Sequence, residues 1–245
     1  MVLRLWIKVY MLGIKETFVK KIPLRKISSL FFSRPSKILR EINSNALMLE
    51  WSKQNITENI FNSIFELYEY INSSILHSDR IDFLEFGVFK GRSLFKWAEI
   101  NKNIDSRFYG FDSFEGLPEV WNCVSKPLPE KQFDVRGCAP ETNDKRIQFI
   151  KGIFQDTLRT FLNNFTPKGR LVVHNDCDIY SSTLYCLTML DEILVKGSIL
   201  IFDEFYSSSH EFQAFFDYYR AYRKKVKVLA SVGENPYAQI AIMLE

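Results

Sequence analysis

The sequence lacks any Cys-x-x-Cys pair and any Cys/His cluster at zinc-ligand spacing; its four cysteines, Cys123, Cys138, Cys177 and Cys186, lie scattered. Reduced thiols in a cytoplasmic protein are the plain reading of that pattern. No uninterrupted apolar run reaches the ~18 residues that a membrane span requires. The N-terminal stretch is apolar in places, but Arg4, Lys8 and Lys15 interrupt it and no small-residue cleavage site follows, which is not the pattern of a signal peptide. Internal repeats and low-complexity tracts are missing too.

What remains is the composition of a soluble globular chain. Hydrophobic residues make up 47% and charged residues 25%, with 22 Phe among them, so a real core is expected and long disorder is not. A length of 245 residues suits one domain with an appendage better than two domains. The net charge of +3 conceals an asymmetry: residues 1–41 carry ten Lys/Arg and two Glu, a balance of +8, which leaves −5 for the rest.

Three regions separate. Residues 1–45 form a basic, amphipathic arm with loop signals at Pro23 and Pro35. Its first 22 residues could lie on an anionic membrane surface, with Trp6, Ile7 and Tyr10 inward and Lys8, Lys15, Lys20 and Lys21 at headgroup level. The alternative is a helix packed on the domain or on a neighbouring subunit of a homo-oligomer. No nucleic-acid-binding motif accompanies the basic residues, so nucleic acid is not expected as a partner. Residues 46–80 read as a helical lead-in, because Ile56, Ile60, Ile64, Leu67 and Ile71 recur at spacings of three and four.

From Ile81 onward, short apolar strands alternate with helical segments, the pattern of a parallel sheet covered by helices. The strand candidates are Ile81–Phe86, Arg107–Phe111, Ile147–Lys151, Arg170–His174 and Ser198–Phe202, with helices at Ser93–Ile100 and Ser182–Leu194 among the intervening segments. The end differs. Val226–Val232, then Gly-Glu-Asn-Pro, then Tyr237–Leu244 predicts an antiparallel hairpin that closes the sheet. Between the second and third strand candidates, Val120–Asn143 reads as a long mobile loop of the kind that serves as a lid.

The first of these strands runs into Glu85-Phe-Gly87-Val-Phe-Lys-Gly91-Arg-Ser93, which puts two glycines where strand hands over to helix. There the backbone can turn sharply, a ligand can approach it, and a helix N-terminus faces the ligand. The spacing is not the dinucleotide Gly-x-Gly-x-x-Gly. An NAD-dependent oxidoreductase is the rival reading that this spacing disfavours; a non-catalytic adenosyl-binding or membrane-associated protein is another. The second strand ends in Asp112, where an acid can accept from both ribose hydroxyls.

Two further strands end in acids, at Asn175-Asp176-Cys177-Asp178 and at Asp203-Glu204. Parallel neighbours would bring these carboxylates together, and hard divalent cations such as Mg²⁺ take oxygen ligands of this kind. For a general base the candidates are His174, just before the acids, and His210, in a Ser-rich segment opening a helix.

Five ordered blocks across about 120 residues resemble the macrocin O-methyltransferase family. They are Glu85-x-Gly87-x-x-x-Gly91-x-Ser93, Gly110-Phe-Asp112-Ser113-Phe-Glu-Gly116-Leu-Pro118, Gly152-x-Phe154-x-Asp156-Thr-Leu158, His174-Asn-Asp176-Cys-Asp178-Ile-Tyr180-Ser-Ser-Thr183 and Gly197-Ser-Ile-Leu-Ile-Phe-Asp203-Glu204-Phe205. The resemblance implies a class I methyltransferase: a Rossmann-like seven-stranded α/β sheet, mostly parallel with a C-terminal antiparallel hairpin, plus N-terminal helices. It implies S-adenosylmethionine as methyl donor and a hydroxyl of a sugar, glycan or natural product as acceptor. Glu85, Gly87 and Ser93 would then surround the amino-acid end of the donor, and Gly91 would be a further cofactor-binding residue. Asp112 with Ser113 would meet the ribose, and Gly152 with Phe154 would border the adenine. In that family a metal at the positions of Asp176, Asp203 and Glu204 binds the sugar hydroxyls; Asp176 would thus also belong to the catalytic set. Asp203-Glu204 departs from the family's common Asp-Asp pair, which leaves metal use open.

Overall fold

The computed structural model describes residues 35–122, 127–234 and 237–245. The basic arm, and with it the expectation of a membrane or subunit contact, lies almost wholly outside the described residues. Every strand named below belongs to one compact unit, residues 43–245. Among the described residues no helix is long and apolar enough to cross a membrane.

In chain order the elements are α1 (Pro35–Gln54), β1 (Ile60–Phe61), α2 (Ile64–Tyr70), β2 (Ile81–Phe86), α3 (Arg92–Ile100), β3 (Arg107–Asp112), β4 (Ile147–Lys151), α4 (Phe154–Leu162), β5 (Arg170–Asn175), α5 (Tyr180–Leu190), β6 (Ile199–Phe202), α6 (Glu211–Ala221), β7 (Val226–Val232) and β8 (Gln239–Leu244). They form one sheet in the order β1-β7-β8-β6-β5-β2-β3-β4. Only β8 runs against its neighbours; it pairs antiparallel with both β6 and β7. The mostly parallel sheet and its reversed hairpin are as expected. The eighth strand is an addition: β1 pairs in parallel with the outer edge of β7, Ile60 opposite Ser231.

That addition comes from the stretch read as continuous helix. Of the repeat Ile56, Ile60, Ile64, Leu67 and Ile71, only the last three follow a helical path, and a short π-helical turn takes over at Ile71–Ile75. Ile56 is 76% exposed. Polar residues between the isoleucines break the helix by binding backbone themselves. Asn55 caps the end of α1 through Trp51 O, and Thr57 and Asn59 both donate to Leu229 O on β7. A new start follows at Ser63, whose Oγ accepts from Glu66 N while the Glu66 carboxylate reaches back to Asn62 N.

The central strands are buried on both faces, as parallel strands between helical layers must be. Along β2 the side chains alternate: Leu84 and Phe86 pack toward α4, α5 and α6, where Trp51, Phe205, Phe212 and Phe215 also gather. Ile81 and Phe83 pack on the other face with Leu67, Tyr68 and Trp97. Two polar residues interrupt this apolar strand. Asp82 is wholly buried, and its carboxylate accepts from Arg107 Nε and from the backbone N–H groups of Lys168 and Gly169. It therefore ties β2 to β3 and to the loop entering β5, at the end of the sheet away from the strand carboxyl ends.

Removing that carboxylate takes the buried partner from Arg107 Nε and from two backbone donors, leaving the guanidinium its bond to Thr166 O. Asp82→Ala should lower unfolding stability by about 3 kcal/mol, read from the urea midpoint, and should leave ligand binding at the far end of the sheet unchanged once the protein is folded.

Candidate active site

The carboxyl ends of β2, β3, β5 and β6 surround a cavity of about 270 Å³. Its position follows from the backbone. After β2 the chain turns at Gly87 with φ +93°, a left-handed conformation suited to glycine. A Cβ at this position would stand 1.8 Å from Asp176 O, so the two strand ends approach as closely as their backbones allow. Asp176 N–H donates to Phe86 O at 2.9 Å, and Gly87 N–H donates to Phe111 O at 2.9 Å. The Gly87 turn is thereby held between the ends of β3 and β5.

Asp112 organises the turn. Its Oδ2 accepts from Val88 N and Phe89 N, both at 2.8 Å, and its Oδ1 accepts from Phe114 N at 2.7 Å. A carboxylate offers about four acceptor positions, so one remains, on Oδ1. Gly91 caps α3 in a left-handed conformation, and its neighbours are Phe95 and Pro140 rather than the cavity. Phe89 and Phe133 meet edge to face at 5.6 Å, and both line the cavity. The segment read as a mobile loop is, where described, folded against itself: Trp121 and Leu128 exchange backbone bonds, Leu117 pairs with Gln132 and Lys131, and Phe114 O accepts from Val135 and Gly137.

Among the residues expected at a donor site, Gly87, Asp112, Ser113 and Phe154 line the cavity; Glu85, Gly91, Ser93 and Gly152 do not. Glu85 points into the core instead. Its Oε1 lies 2.9 Å from His174 Nδ1, and His174 Nε2 lies 3.0 Å from Tyr68 Oη. With Nδ1–H donating to the carboxylate, Nε2 is left to accept the Tyr68 hydroxyl proton. All three side chains are fully buried, and burial pushes the Glu85 carboxyl up against the lowering effect of the His174 bond.

The expected bases separate in the same way. His174, with both nitrogens engaged in the interior, offers nothing to a ligand. His210 takes the Tyr180 N–H on Nδ1 at 3.4 Å and donates from Nε2 to Asn122 O at 3.2 Å. Asp176, Asp203 and Glu204 do line the cavity, and Asp178 and Ser182 join them. Burial holds Asp176 well above the usual carboxylate range, and Asp203 and Asp178 push it further. Asp178 is pushed up to about 8 by burial, with Glu204 and Asp203 adding to it. Glu204 is raised by burial, and its Oε2 has no hydrogen-bond partner. Gln239 donates to Asp203 Oδ1 at 2.9 Å. Among the described residues, no group of three or more His, Cys, Asp or Glu side chains is arranged to hold a metal ion.

Sequence reasoning passed over several lining residues. Gln132 and Phe133 fall between the second and third motif blocks, and no local pattern marks them. Leu117 and Pro118, by contrast, closed a quoted block and could have been read as lining. A further omission is Glu211, which no motif distinguished from the charged residues that commonly open helices.

The family model described as macrocin O-methyltransferase (TylF) matches residues 66–235, well over half of the chain. The chain belongs to this family. It is a methyltransferase. No curated protein sequence matches it. Among solved structures it is similar to CalS11, a calicheamicin methyltransferase, at 24% identity and a TM-score of 0.59, over 73% of this chain and 77% of that one. The O-methyltransferase NovP aligns at 19% identity and a TM-score of 0.55, over 73% and 78%. An O-methyltransferase from Bacillus cereus, solved in complex with SAH, aligns at 13% and 0.50, over 90% and 95%. At these identities the structural likenesses establish the fold alone.

The raised carboxyl of Asp178 carries a sign for pH. Folded protein holds this proton up to about pH 8 whereas an unfolded chain releases it near the ordinary value of 3.8, so stability falls as pH rises through that interval. Asp178 also sits at φ +61°, which Asn tolerates. Asp178→Asn should raise the Tm, and the gain should be larger at pH 8 than at pH 5 in scanning calorimetry. Equal gains at both values would reject the raised carboxyl.

Proposed function

We propose that this methyltransferase transfers a methyl group from S-adenosylmethionine to a hydroxyl of a sugar, or of a sugar-bearing glycan or natural product. One observation carries the reading: a single cavity at the strand carboxyl ends joins a ribose-type acid, Asp112, to a group of pocket-facing carboxyls, Asp176, Asp178, Asp203 and Glu204. Family membership supports the methyl donor, and the names of CalS11 and NovP support a hydroxyl acceptor.

The donor's residues fit their task. Asp112 lines the cavity beside Gly87 and Ser113 and keeps an acceptor position beyond its three backbone bonds, which suits a ribose hydroxyl. Ile153 and Phe154 supply an apolar wall for adenine. Glu85 takes a different part from the one its motif position suggests: through His174 and Tyr68 it stiffens the end of β2 behind the Gly87 turn. Bound S-adenosylmethionine supplies an electrophilic methyl group on a sulfonium centre.

At the other end, the acceptor hydroxyl must be held in line with that methyl group and lose its proton. Asp178 is our assignment for the base, since it lines the cavity and, with its carboxyl pushed up to about 8, its ionised form is a strong proton acceptor whose share grows as pH rises toward 8. Asp176, Asp203 and Glu204 orient the acceptor. They are not arranged as a three-ligand metal cage, but one or two of their hard oxygen donors, the unpartnered Glu204 Oε2 among them, would suit Mg²⁺, which completes its shell from water and substrate oxygens.

The test is incubation of the full chain with methyl-labelled S-adenosylmethionine and pooled sugars, glycans and lipids, with and without Mg²⁺, alongside calorimetry of S-adenosylhomocysteine. Label should enter a hydroxyl-bearing acceptor. Asp112→Ala should weaken S-adenosylhomocysteine by about tenfold or more, while Asp178→Asn should abolish transfer and leave that affinity intact. Absence of both binding and transfer in the wild type would overturn the reading.

A further inference from the structure

Beyond the last rungs of the sheet, the chains leaving β5 and β6 separate. Asp203 N–H still donates to Asn175 O at 3.1 Å, and Asp176 N–H donates to Phe86 O on β2 at 2.9 Å. One residue further on in each chain, the amides of Cys177 and Glu204 have no strand to pair with. A buried amide left in that state is costly. Both donate instead to one side chain: Cys177 N to Glu211 Oε1 at 3.2 Å, and Glu204 N to Glu211 Oε2 at 2.9 Å.

Glu211 is the first residue of α6 and is completely buried. The turn it holds is a tight one. Ile179 N–H returns to Cys177 O at 2.6 Å, and Asp178 adopts a left-handed conformation at φ +61°. A non-glycine residue persists there only if its surroundings hold it. The partner corner is drawn in by Ser207 N–H donating to Glu204 O at 2.8 Å. One carboxylate thus bridges the two turns that carry all four of the cavity's acids apart from Asp112.

We propose that Glu211 is a positioning residue for the acceptor end of the cavity, its two oxygens setting the separation between the Asp176–Asp178 turn and the Asp203–Glu204 corner. This rests on the reading of those acids as the acceptor-handling groups. The donor end is built separately, on Gly87 and Asp112. Glutamate is suited to the task because each of its two oxygens can accept a backbone bond, and the Glu204 amide opposes the burial and neighbouring acids that push this carboxyl up. Glutamine of the same size would turn an N–H₂ toward one of the two backbone N–H groups, so one turn would lose its anchor.

The experiment compares wild type, Glu211→Gln and Glu211→Asp as full chains. Amide hydrogen exchange by mass spectrometry should accelerate about tenfold in Glu211→Gln for peptides covering 176–179 or 203–206, the effect of losing one buried hydrogen bond. Peptides covering 83–92 should be unchanged, and the Kd for S-adenosylhomocysteine should stay within about twofold. Methyl transfer to acceptors that the wild type labels should fall about tenfold or more, and Glu211→Asp, which keeps two acceptor oxygens, should recover part of it. Unchanged exchange at both turns would overturn the proposal, as would acceleration spread equally over 83–92. If the wild type labels no acceptor, the methyl-transfer reading fails on its own, and the exchange data still decide whether Glu211 sets the two turns.

Discussion

The tightest constraint in this molecule is a backbone meeting backbone. At Gly87 the chain leaving β2 passes the Asp176 carbonyl with no room for a Cβ. Any other residue there would push β2 from β5 at the point where both deliver their functional groups. The order β6-β5-β2-β3 then places Asp203, Asp176, Gly87 and Asp112 around one opening. A cavity at the carboxyl ends of parallel strands is where α/β sheets bind ligands. Here the approach at Gly87 brings the Asp112 side and the Asp176 side of the cavity together.

A second theme is the handling of buried carboxyls, each of which needs compensation when it leaves water. Asp82 receives a guanidinium and two backbone donors. Glu85 receives the His174 imidazole, itself fixed by Tyr68. Glu211 receives two backbone amides. Asp176 and Asp178 face acids, whose carboxyls raise them further, and the same cluster with burial also raises Glu211 against its Glu204 amide bond. The first three sites serve the architecture. Repulsive crowding is concentrated at the cavity, where perturbed carboxyls mark chemistry more often than stability.

Much of this was readable from residue order. The strands from Ile81 to Phe202 and the closing hairpin were visible because buried parallel strands are continuous apolar runs flanked by turn residues. The helical repeat through Ile56 and Ile60 misled, because spacing says nothing about Asn55, Thr57 and Asn59 diverting their side chains to backbone carbonyls. The motif blocks located the cavity but did not resolve which member of each block faces it. Glu85 and His174 share the register pair between β2 and β5, so both point to the same buried face. Gly91 and Ser93 belong to the start of α3, not to the wall.

By itself the sequence determined the α/β alternation, the reversed last strand, the family and the set of acids at the strand ends. These depend on local period and on ordered blocks, which survive in one dimension. Tertiary structure alone decided that His174 is spent inside on Glu85 and Tyr68, that Phe133 packs on Phe89 in the cavity lining, and that Glu211 joins two turns. Those roles come from contacts between residues 7 to 106 positions apart. Side-chain direction at such a distance is set by sheet register and packing, which no local spacing encodes.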